Sequence, residues 1–315
     1  MNEDTKSIIR IVAYPLVLIH RKIEEWRISY LRKHNLHGLA DYYMKAQFGK
    51  MDWENPTTLN EKIQWLKFYG DTSLWSDLSD KYKVREYVEQ KGLQDCLVKL
   101  YGHWDRIEDV EWECLPEKFV LKVNNGSGDV LVCHDKSKLN IPELTAKYNA
   151  LLNKKFGYLF AEPHYDLIKP CIIVEELLDI KKQPIETDTL IDYKIWCFDG
   201  KPAYIWTCYN RRPRSVEVGT YDLEWNYLPE KSVFTSHYKK ASMILPKPKS
   251  LTRMLEIASK LSEGFPELRV DLYEVDGKPY FGELTFTSQG GYMPFYTPEF
   301  QLELGNLIKL PKKNV

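Results

Sequence analysis

Two acidic residues, Asp271 and Glu283, are the strongest candidates for chemistry in this sequence. They lie in two apolar runs that a three-residue turn, 276–278, would fold into a hairpin with the acids directly opposite each other. Facing carboxylates on an apolar sheet repel and are costly to desolvate unless a cation lies between them. Because Mg²⁺ binds carboxylates together with phosphate oxygens, the pair predicts a site for a magnesium nucleotide. The alternative is two solvated acids on an exposed strand.

Two basic residues accompany this pair. Arg269 projects from the same strand face as Asp271, because residues two apart in a strand share a face. Lys194 and Asp192 likewise share a face of the apolar segment 191–198. A buried ammonium group there needs a partner, and a phosphate would be one. The alternative for Lys194 is an edge strand from which the amine reaches solvent.

A glycine-rich loop follows Lys122 at the end of a predicted strand. Gly126 and Gly128 would let backbone N–H groups approach an anion closely, and Ser127 adds a hydroxyl donor. No helix is predicted directly after the loop, so it matches neither a Walker A loop nor a dinucleotide fingerprint. The pattern indicates either an anion-binding loop or an ordinary hairpin turn.

Two further groups of charged residues carry weaker signals. Glu175, Glu176 and Asp179 follow an apolar strand, where carboxylates could bind an adenine amino group or ribose hydroxyls, or could be solvated. Arg211 and Arg212 could bind an anionic substrate or lie in a solvated loop. These residues on their own do not decide between the alternatives.

The sequence patterns around these residues predict both helices and strands, and therefore an α+β fold. A capping box at 58–61 opens a helix, and the first hundred residues read as mostly helical. Paired strands and helices follow without regular βαβ spacing, which favours antiparallel sheets over a Rossmann sheet. The predicted strands are 118–123, 130–133, 171–175, 191–198, 202–208, 268–275 and 279–284.

Composition excludes several functional classes. The 315 residues carry a net charge of −1 without a basic arm, so we expect no nucleic-acid partner. The six cysteines are scattered, with no Cys-x-x-Cys pair, which argues against a zinc site or a disulfide framework. They favour a reducing compartment, and we therefore expect a cytoplasmic protein.

The N-terminus carries an apolar run, 8–19, which is interrupted by Arg10 and Pro15 and is too short to span a bilayer. The segment 8–26 around it has two interpretations. One interpretation is a helix packed against the rest of the protein. The other is an amphipathic helix lying on a membrane surface, which would place the protein at the inner face of the membrane.

The order of these motifs resembles the ATP-grasp superfamily. Arg269-Val270-Asp271, Gly282-Glu283-Leu284-Thr285 and Gly290-Gly291 are similar to the amide-ligase pattern Arg-Val-Asp … Glu-x-Asn with a following glycine. The stretches NPTTLNEKIQWLK, SDKYKVREYV, FVLKVNNGSGDV, DYKIWCFDGK and GELTF further resemble the TupA-like ATP-grasp family, over residues 45 to 300. Members of that family are linked to bacterial surface-polysaccharide synthesis and are often labelled glycosyltransferases.

The resemblance implies an ATP-grasp fold in which two α+β subdomains clasp ATP. The implied division is an N-terminal helical segment (1–45), a helical region (46–110), a small lid subdomain (111–178) and a large subdomain with the Mg²⁺ site (179–315). It also implies the nucleotide contacts. Lys122 and Lys81 would contact the phosphates, and Gly126, Ser127 and Gly128 would form the lid over them. Glu175 or Glu176 would lie at the adenine, and Asp179 at the ribose.

The same resemblance implies the catalytic groups. Lys194 would reach the γ-phosphate, Asp271 and Glu283 would bind Mg²⁺, and Arg269 would stabilise charge on the reacting centre. The third metal position, usually Asn, is Thr285, whose hydroxyl can still bind Mg²⁺.

The implied function is a carboxylate–amine ligase that uses ATP and Mg²⁺ and modifies a surface polysaccharide. A phosphotransferase acting on a sugar hydroxyl and a glycosyltransferase are the alternatives. Arg269 and the possible substrate residues Gly290 and Gly291 favour the ligase, because acyl transfer needs an oxyanion site. The sequence does not identify the acceptor.

Overall fold

Helices precede two sheets along the chain, and all the strand pairs of these sheets in the described residues are antiparallel except β7 with β8. The computed structural model describes residues 3–126 and 128–313, with side chains from residue 17 onward. The helices are α1 (Glu3–His34), α2 (Leu36–Gln47), α3 (Leu59–Tyr69), α4 (Trp75–Ser79), α5 (Val84–Gln90), α6 (Ile141–Leu152), α7 (Leu251–Ser262) and α8 (Pro298–Leu307). The strands are β1 (Leu100–Trp104), β2 (Phe119–Val123), β3 (Val130–Cys133), β4 (Ile172–Glu175), β5 (Asp192–Phe198), β6 (Lys201–Arg212), β7 (Ser215–Tyr221), β8 (Tyr238–Lys240), β9 (Leu268–Val275) and β10 (Lys278–Thr285).

The smaller sheet has the strand order β1-β4-β2-β3. Strands β2 and β3 form the predicted hairpin, and the glycine-rich loop joins them. Helix α6 packs on this sheet, where Tyr148 donates its hydroxyl to the Leu121 carbonyl at 3.1 Å. Strand β1 lies in a stretch that the sequence predicts to be helical, and it extends the sheet N-terminal to the predicted 111–178 subdomain. The predicted domain boundaries themselves stay a prediction.

The larger sheet has the strand order β10-β9-β5-β6-β7-β8. Asp199 and Gly200, with φ of 49° and 75°, make the two-residue turn between β5 and β6. Helix α7 packs on one face of the sheet. Glu274 accepts hydrogen bonds at the start of that helix, including one from the Ser250 amide at 2.7 Å. The charged residues that β5 and β9 contribute to the candidate site therefore lie on the opposite face of the sheet.

The β9–β10 hairpin confirms the predicted pairing of Asp271 with Glu283, although by a different route. Its turn has two residues, Asp276 and Gly277, with φ of 57° and 68°, so the predicted three-residue turn is wrong. A bulge at Gly282 shifts the register by one residue and brings the two acids opposite each other. The predicted pairing of Asp271 with Glu283 is therefore present, but it results from the bulge in β10 and not from a three-residue turn.

The N-terminal helix extends away from the sheets. Ile28 and Leu31 of α1 pack against the core around α2, whereas Ile19, Ile23 and Trp26 are 55%, 56% and 70% exposed. The prediction of a helix packed against the protein is therefore wrong for residues 17–26, and the side chains of residues 8–16 lie outside the described part. Among the described residues, no helix is both long and apolar enough to cross a membrane.

Candidate nucleotide and metal site

Arg269 and Asp271 form the centre of the site. The Arg269 guanidinium donates two parallel hydrogen bonds to the Asp271 carboxylate, Nε to Oδ1 and Nη2 to Oδ2, both at 2.8 Å. Asp271 is 1% exposed and also contacts the Lys194 ammonium group. The expected repulsion between Asp271 and Glu283 is therefore relieved by cations of the protein itself. The prediction that only a bound cation could offset the negative charges of Asp271 and Glu283 is therefore wrong.

Lys194 lies in the centre of the larger sheet. Strand β5 pairs with β6 on one side and β9 on the other, so the edge-strand alternative for Lys194 is wrong. Burial would lower the pKa of Lys194, but the charges of Asp192 and Asp271 outweigh burial and hold that pKa above its usual value. Lys194 thus remains a buried cation beside the acidic pair.

Glu283 faces the open side of the site. Its side chain is 39% exposed, with Lys81 Nζ at 3.5 Å from Oε2 and Arg269 Nη2 at 3.7 Å from Oε1. Burial would raise the pKa of Glu283, but Lys81, Lys194, Arg269 and Lys122 together lower it to about 2. Glu283 is therefore an anion at neutral pH, with four cations around it.

The smaller sheet supplies the other half of this cation group. Lys122 pairs with Glu175 at 2.6 Å, and Arg85 binds the other oxygen of that carboxylate at 3.3 Å. Glu175 therefore orients two cations, which the sequence does not reveal because Arg85 is ninety residues away in the chain. Lys81 donates to the Gly126 carbonyl at 2.8 Å and so connects the glycine-rich loop to Glu283.

The loop itself requires glycine at two positions. A side chain at Gly126 would approach Val123 Cγ2 to 2.8 Å, and Gly128 has a φ of 86°. Ser127, predicted as a phosphate donor, lies outside the described residues. The role of this loop as a lid over the phosphates stays a prediction.

The residues expected near adenine and ribose follow β4. Glu176 is exposed, and its amide donates to the Lys99 carbonyl at 2.9 Å. Asp179 accepts from the Lys181 amide at 3.1 Å and thereby caps a short 3₁₀ turn. The structure places these residues at the exit of the strand, and their contacts with the nucleotide stay predictions.

The two candidate substrate arginines are paired with carboxylates. Arg211 binds Asp192 at 2.5 Å, and Arg212 binds Asp188 at 2.9 Å. Because Asp192 also lies 3.7 Å from Lys194, Arg211 belongs to the same charge network as the acidic pair. Arg212 lies further out, and its ion pair with Asp188 is largely exposed.

A glycine turn closes the site beside Arg269. Arg269 donates to the Ser288 hydroxyl and, at 3.1 Å, to the Thr285 hydroxyl. Gly290 and Gly291 follow with φ of 65° and 78°. The backbone conformation at these positions is one that only glycine adopts readily.

Helix α3 holds this turn through residues that the sequence analysis missed. Gln64 donates to the carbonyls of Gly290 and Gly291 at 2.9 and 3.0 Å, and Lys67 donates to the Gly290 carbonyl at 3.0 Å. Asn60 accepts from the Met293 amide at 3.1 Å. A polar stripe at helical spacing ordinarily marks a solvated face, so no local signal identifies it as buried.

A buried acid–base pair lies next to that stripe. Burial lowers the pKa of Lys67 and raises the pKa of Glu162, each to about 7. Glu162 accepts a hydrogen bond from Thr287 at 2.5 Å, on the segment leading to the glycine turn. These contacts make the turn a rigid wall of the site.

The donor set fits a polyphosphate directly. The partly exposed Glu283 carboxylate lies in the field of four cations from both sheets and from the segment before α5: Lys81, Lys122, Lys194 and Arg269. For Mg²⁺, the oxygens of Asp271, Glu283 and Thr285 are suitable ligands. In the described ranges, however, no cluster of three or more His, Cys, Asp or Glu side chains could hold a metal. The site therefore fits Mg²⁺ only together with phosphate oxygens.

Comparisons with known proteins find one family model and several similar structures. The family model described as TupA-like ATPgrasp matches residues 61–309. The structure is similar to a D-alanine–D-alanine ligase from Bacillus anthracis, with a TM-score of 0.41 and 16% identity over 80% of this chain and 69% of that one. It is also similar to the D-cycloserine synthetase DcsG, with a TM-score of 0.40 and 11% identity over 74% of this chain and 70% of that one.

A third similar structure is the ATP-grasp ligase PsnB in complex with minimal precursor, Mg and ADP. The TM-score is 0.36 and the identity 13%, over 72% of this chain and 58% of that one. No protein with a curated description matches this sequence. The family match covers well over half of the chain and agrees with the two-sheet α+β architecture. The chain therefore belongs to the TupA-like ATP-grasp family.

Proposed function

We propose that this protein is a ligase that uses ATP and Mg²⁺ to activate a carboxylate as an acyl phosphate for attack by an amine. The observation that carries the proposal is the group of cations at the acidic pair: Lys81 Nζ and Arg269 Nη2 lie 3.5 and 3.7 Å from the Glu283 carboxylate, and Lys194 contacts Asp271, beside a glycine turn held by α3. Such a group suits the negative charge of a triphosphate, and the adjoining turn offers a place for the reacting carbonyl. Family membership supports the same assignment.

The chemistry runs in two steps. A carboxylate oxygen attacks the γ-phosphorus, the bond to the β-phosphate oxygen breaks, and ADP leaves with that electron pair. The amine nitrogen then attacks the acyl carbon, phosphate departs, and the nitrogen releases a proton to give the amide. Free phosphate and ADP therefore form in equal amounts.

Each charged residue has a defined task in this proposal. Lys122 and Lys81 bind phosphate oxygens from the side of the smaller sheet, and Lys194 binds the transferred group from β5. Arg269, held in place by Asp271 and Ser288, faces the charge that develops on the acyl oxygen. Asp271, Glu283 and Thr285 would hold Mg²⁺ together with the phosphates, and the ion would supply positive charge to neutralise the transferred oxygens.

We infer further that the acceptor is a bacterial surface polysaccharide or its precursor, with a uronic acid as the carboxylate and an amino acid as the amine. Arg211, next to Asp192, is available to contact an anionic acceptor at the edge of the site. We also infer a cytoplasmic reaction, because all six cysteines are free thiols.

Hydroxylamine trapping tests this proposal. Incubation with ATP, Mg²⁺, glucuronate or galacturonate and hydroxylamine should give ADP, an equal amount of free phosphate and a hydroxamate. With an ¹⁸O-labelled carboxylate, one label should move to the phosphate. A phosphorylated sugar without free phosphate would instead identify a phosphotransferase. Sugar transfer from a nucleotide sugar without ADP formation from ATP would identify a glycosyltransferase.

A further inference from the structure

The described part of helix α1 carries an apolar stripe that contacts no other element. The stripe consists of Ile19, Ile23, Trp26 and Tyr30, whose exposed fractions are 55%, 56%, 70% and 51%. At about 100° per residue, these positions fall within roughly 60° of the helix circumference. Trp26 and Tyr30 stack with their ring centroids 5.8 Å apart, so the aromatic end of the stripe forms one continuous surface.

The other face of α1 attaches the helix to the rest of the protein. Ile28 and Leu31 pack against the core around α2, and Glu24 accepts a hydrogen bond from Tyr42 at 2.5 Å. These residues lie on the side of the helix opposite the stripe. The stripe therefore points away from the protein because the attachment fixes the orientation of the helix.

The charges around the stripe are mostly positive. Lys22 and Lys33 lie along one edge of the stripe, and Arg27 lies along the other. Residues 17–34 contain five Lys and Arg but only two Glu, a net charge of +3, whereas the whole chain has a net charge of −1. The exposed apolar surface thus coincides with the local concentration of basic side chains.

We propose that this stripe binds the surface of an anionic phospholipid bilayer. Tyrosine and tryptophan favour the boundary between lipid headgroups and acyl chains, and basic side chains at the edges would meet lipid phosphates. Among the described residues no helix can cross a bilayer, so α1 lies along the surface rather than across it.

A second copy of the chain is the competing occupant, since the 4-3-4 spacing of the stripe also suits a two-helix coiled coil. Pairing two stripes would place Lys22, Arg27 and Lys33 of each copy near the same residues of the other, where like charges repel. The charge pattern therefore favours lipid. This inference does not depend on the proposed reaction, since no stripe residue belongs to the site.

Vesicle co-sedimentation of the full chain tests the proposal. The protein should bind vesicles of phosphatidylcholine mixed with phosphatidylglycerol and bind vesicles of phosphatidylcholine alone much less. Replacing Ile23→Asp together with Trp26→Asp should weaken binding by at least about 10- to 100-fold, because two buried apolar side chains are lost. Leu18→Asp is the matched control, since Leu18 is 40% exposed on the same helix but roughly 100° from the stripe.

The charge contribution has its own variant. Lys22→Glu with Arg27→Glu should reduce binding to the phosphatidylglycerol vesicles and leave the weak binding to pure phosphatidylcholine unchanged. Thermal unfolding should match the wild type in the stripe variant and in Leu18→Asp, because Ile23, Trp26 and Leu18 are exposed. The charge variant also removes the contact of Arg27 with the Tyr42 ring of α2, so its folded state is checked by the same measurement before vesicles are added.

Three results would overturn the proposal. Equal binding of the wild type and the stripe variant would mean that the stripe is not the contact surface. Equal binding to both vesicle types would remove the anionic-lipid part. A wild type that ignores vesicles but sediments as a dimer, and as a monomer after Ile23→Asp, would assign the stripe to a second copy.

Discussion

Two buried carboxylates, Asp271 within β9 and Glu267 just before that strand, have opposite surroundings. Asp271 is 1% exposed and Glu267 is 2% exposed, and they lie only four residues apart. Asp271 accepts two hydrogen bonds from Arg269 and one from Lys194. Within the described residues, both carboxylate oxygens of Glu267 lack a hydrogen-bond partner.

The difference shows that the basic groups around a buried acid, and not its burial alone, determine whether it can take part in a charged site. Burial raises the pKa of Glu267 well above its usual value, and Arg269 opposes this only in part. Burial therefore favours the protonated form of Glu267, whereas the Asp271 carboxylate has two basic partners, Arg269 and Lys194. Because Lys194 reaches Asp271 from a different strand, the charged state of the site depends on tertiary arrangement rather than on the acid itself.

Asp271→Asn should give the largest loss of stability. The substitution leaves Arg269 and Lys194 buried without their counter-charge, and breaking such a pair typically costs about 3–5 kcal/mol. The direction is opposite to that expected from repulsion between Asp271 and Glu283. Urea unfolding measures the change, with Asp188→Asn as control, since its ion pair with Arg212 is exposed and worth at most about 1 kcal/mol. Equal effects of the two variants would contradict the comparison.

Arg269→Lys should slow the reaction while preserving the positive charge. A lysine cannot reproduce the two parallel hydrogen bonds to Asp271, so the cation no longer faces the reacting oxygen in a fixed position. We expect turnover to fall about 10²–10³-fold, as for a lost oxyanion donor. Affinity for an ATP analogue should change little, and a parallel loss of that affinity would assign Arg269 to nucleotide binding instead.

Lys122→Met should weaken nucleotide binding by about 1.5–3 kcal/mol, the contribution of one charge-assisted hydrogen bond. Its partner Glu175 retains the ion pair with Arg85, which limits damage to the sheet. Calorimetric titration with a non-hydrolysable ATP analogue and Mg²⁺ measures the loss. Lys91→Met is the matched control because Lys91 pairs with Glu263 outside the site. Unchanged affinity in Lys122→Met would remove this lysine from the phosphate site.

Glu267→Gln should change how stability depends on pH. Because the pKa of Glu267 is raised on folding, the folded state binds its proton more tightly than the unfolded state does. Its contribution is complete below the unfolded pKa of about 4.3 and is lost as pH rises towards the folded pKa, by at most about 1.4 kcal/mol per pH unit. The variant should lack this slope in urea unfolding between pH 5 and 8. An identical slope in wild type and variant would show that Glu267 has a charged partner.

The sequence predicts the hairpins well because their turns contain glycine. The β5–β6 turn follows from such a signal, and so does the β9–β10 hairpin, whereas the pairing of Asp271 with Glu283 in it arises from a bulge rather than from the predicted turn length. The bulge at Gly282 was not predictable, since it depends on packing against β9. Strands β7 and β8 were missed, although Val216 and Val218 alternate with the polar Ser215 and Glu217 in β7.

Sequence patterns single out the charged residues of the candidate site but not their partners. The positions of Arg269, Asp271, Glu283 and Lys194 are local features of three strands, β5, β9 and β10. The ion pair of Glu175 with Arg85 and the contacts of α3 with the glycine turn join segments far apart in the chain. Contacts of this kind exist only once the sheets and α3 have packed, so no short pattern encodes them.

Magnesium-dependent ADP formation by Glu283→Gln is the most direct measurement of the central assignment. Urea unfolding should first show that Glu283→Gln is folded, since the variant removes the partner of Lys81 and Arg269, and Glu263→Gln serves as the matched control because Glu263 pairs with Lys91 outside the site. We predict that folded Glu283→Gln forms no ADP above background at any Mg²⁺ concentration, whereas Glu263→Gln retains activity. Near-normal Mg²⁺-dependent ADP formation by Glu283→Gln would contradict the assignment of this site to the magnesium nucleotide.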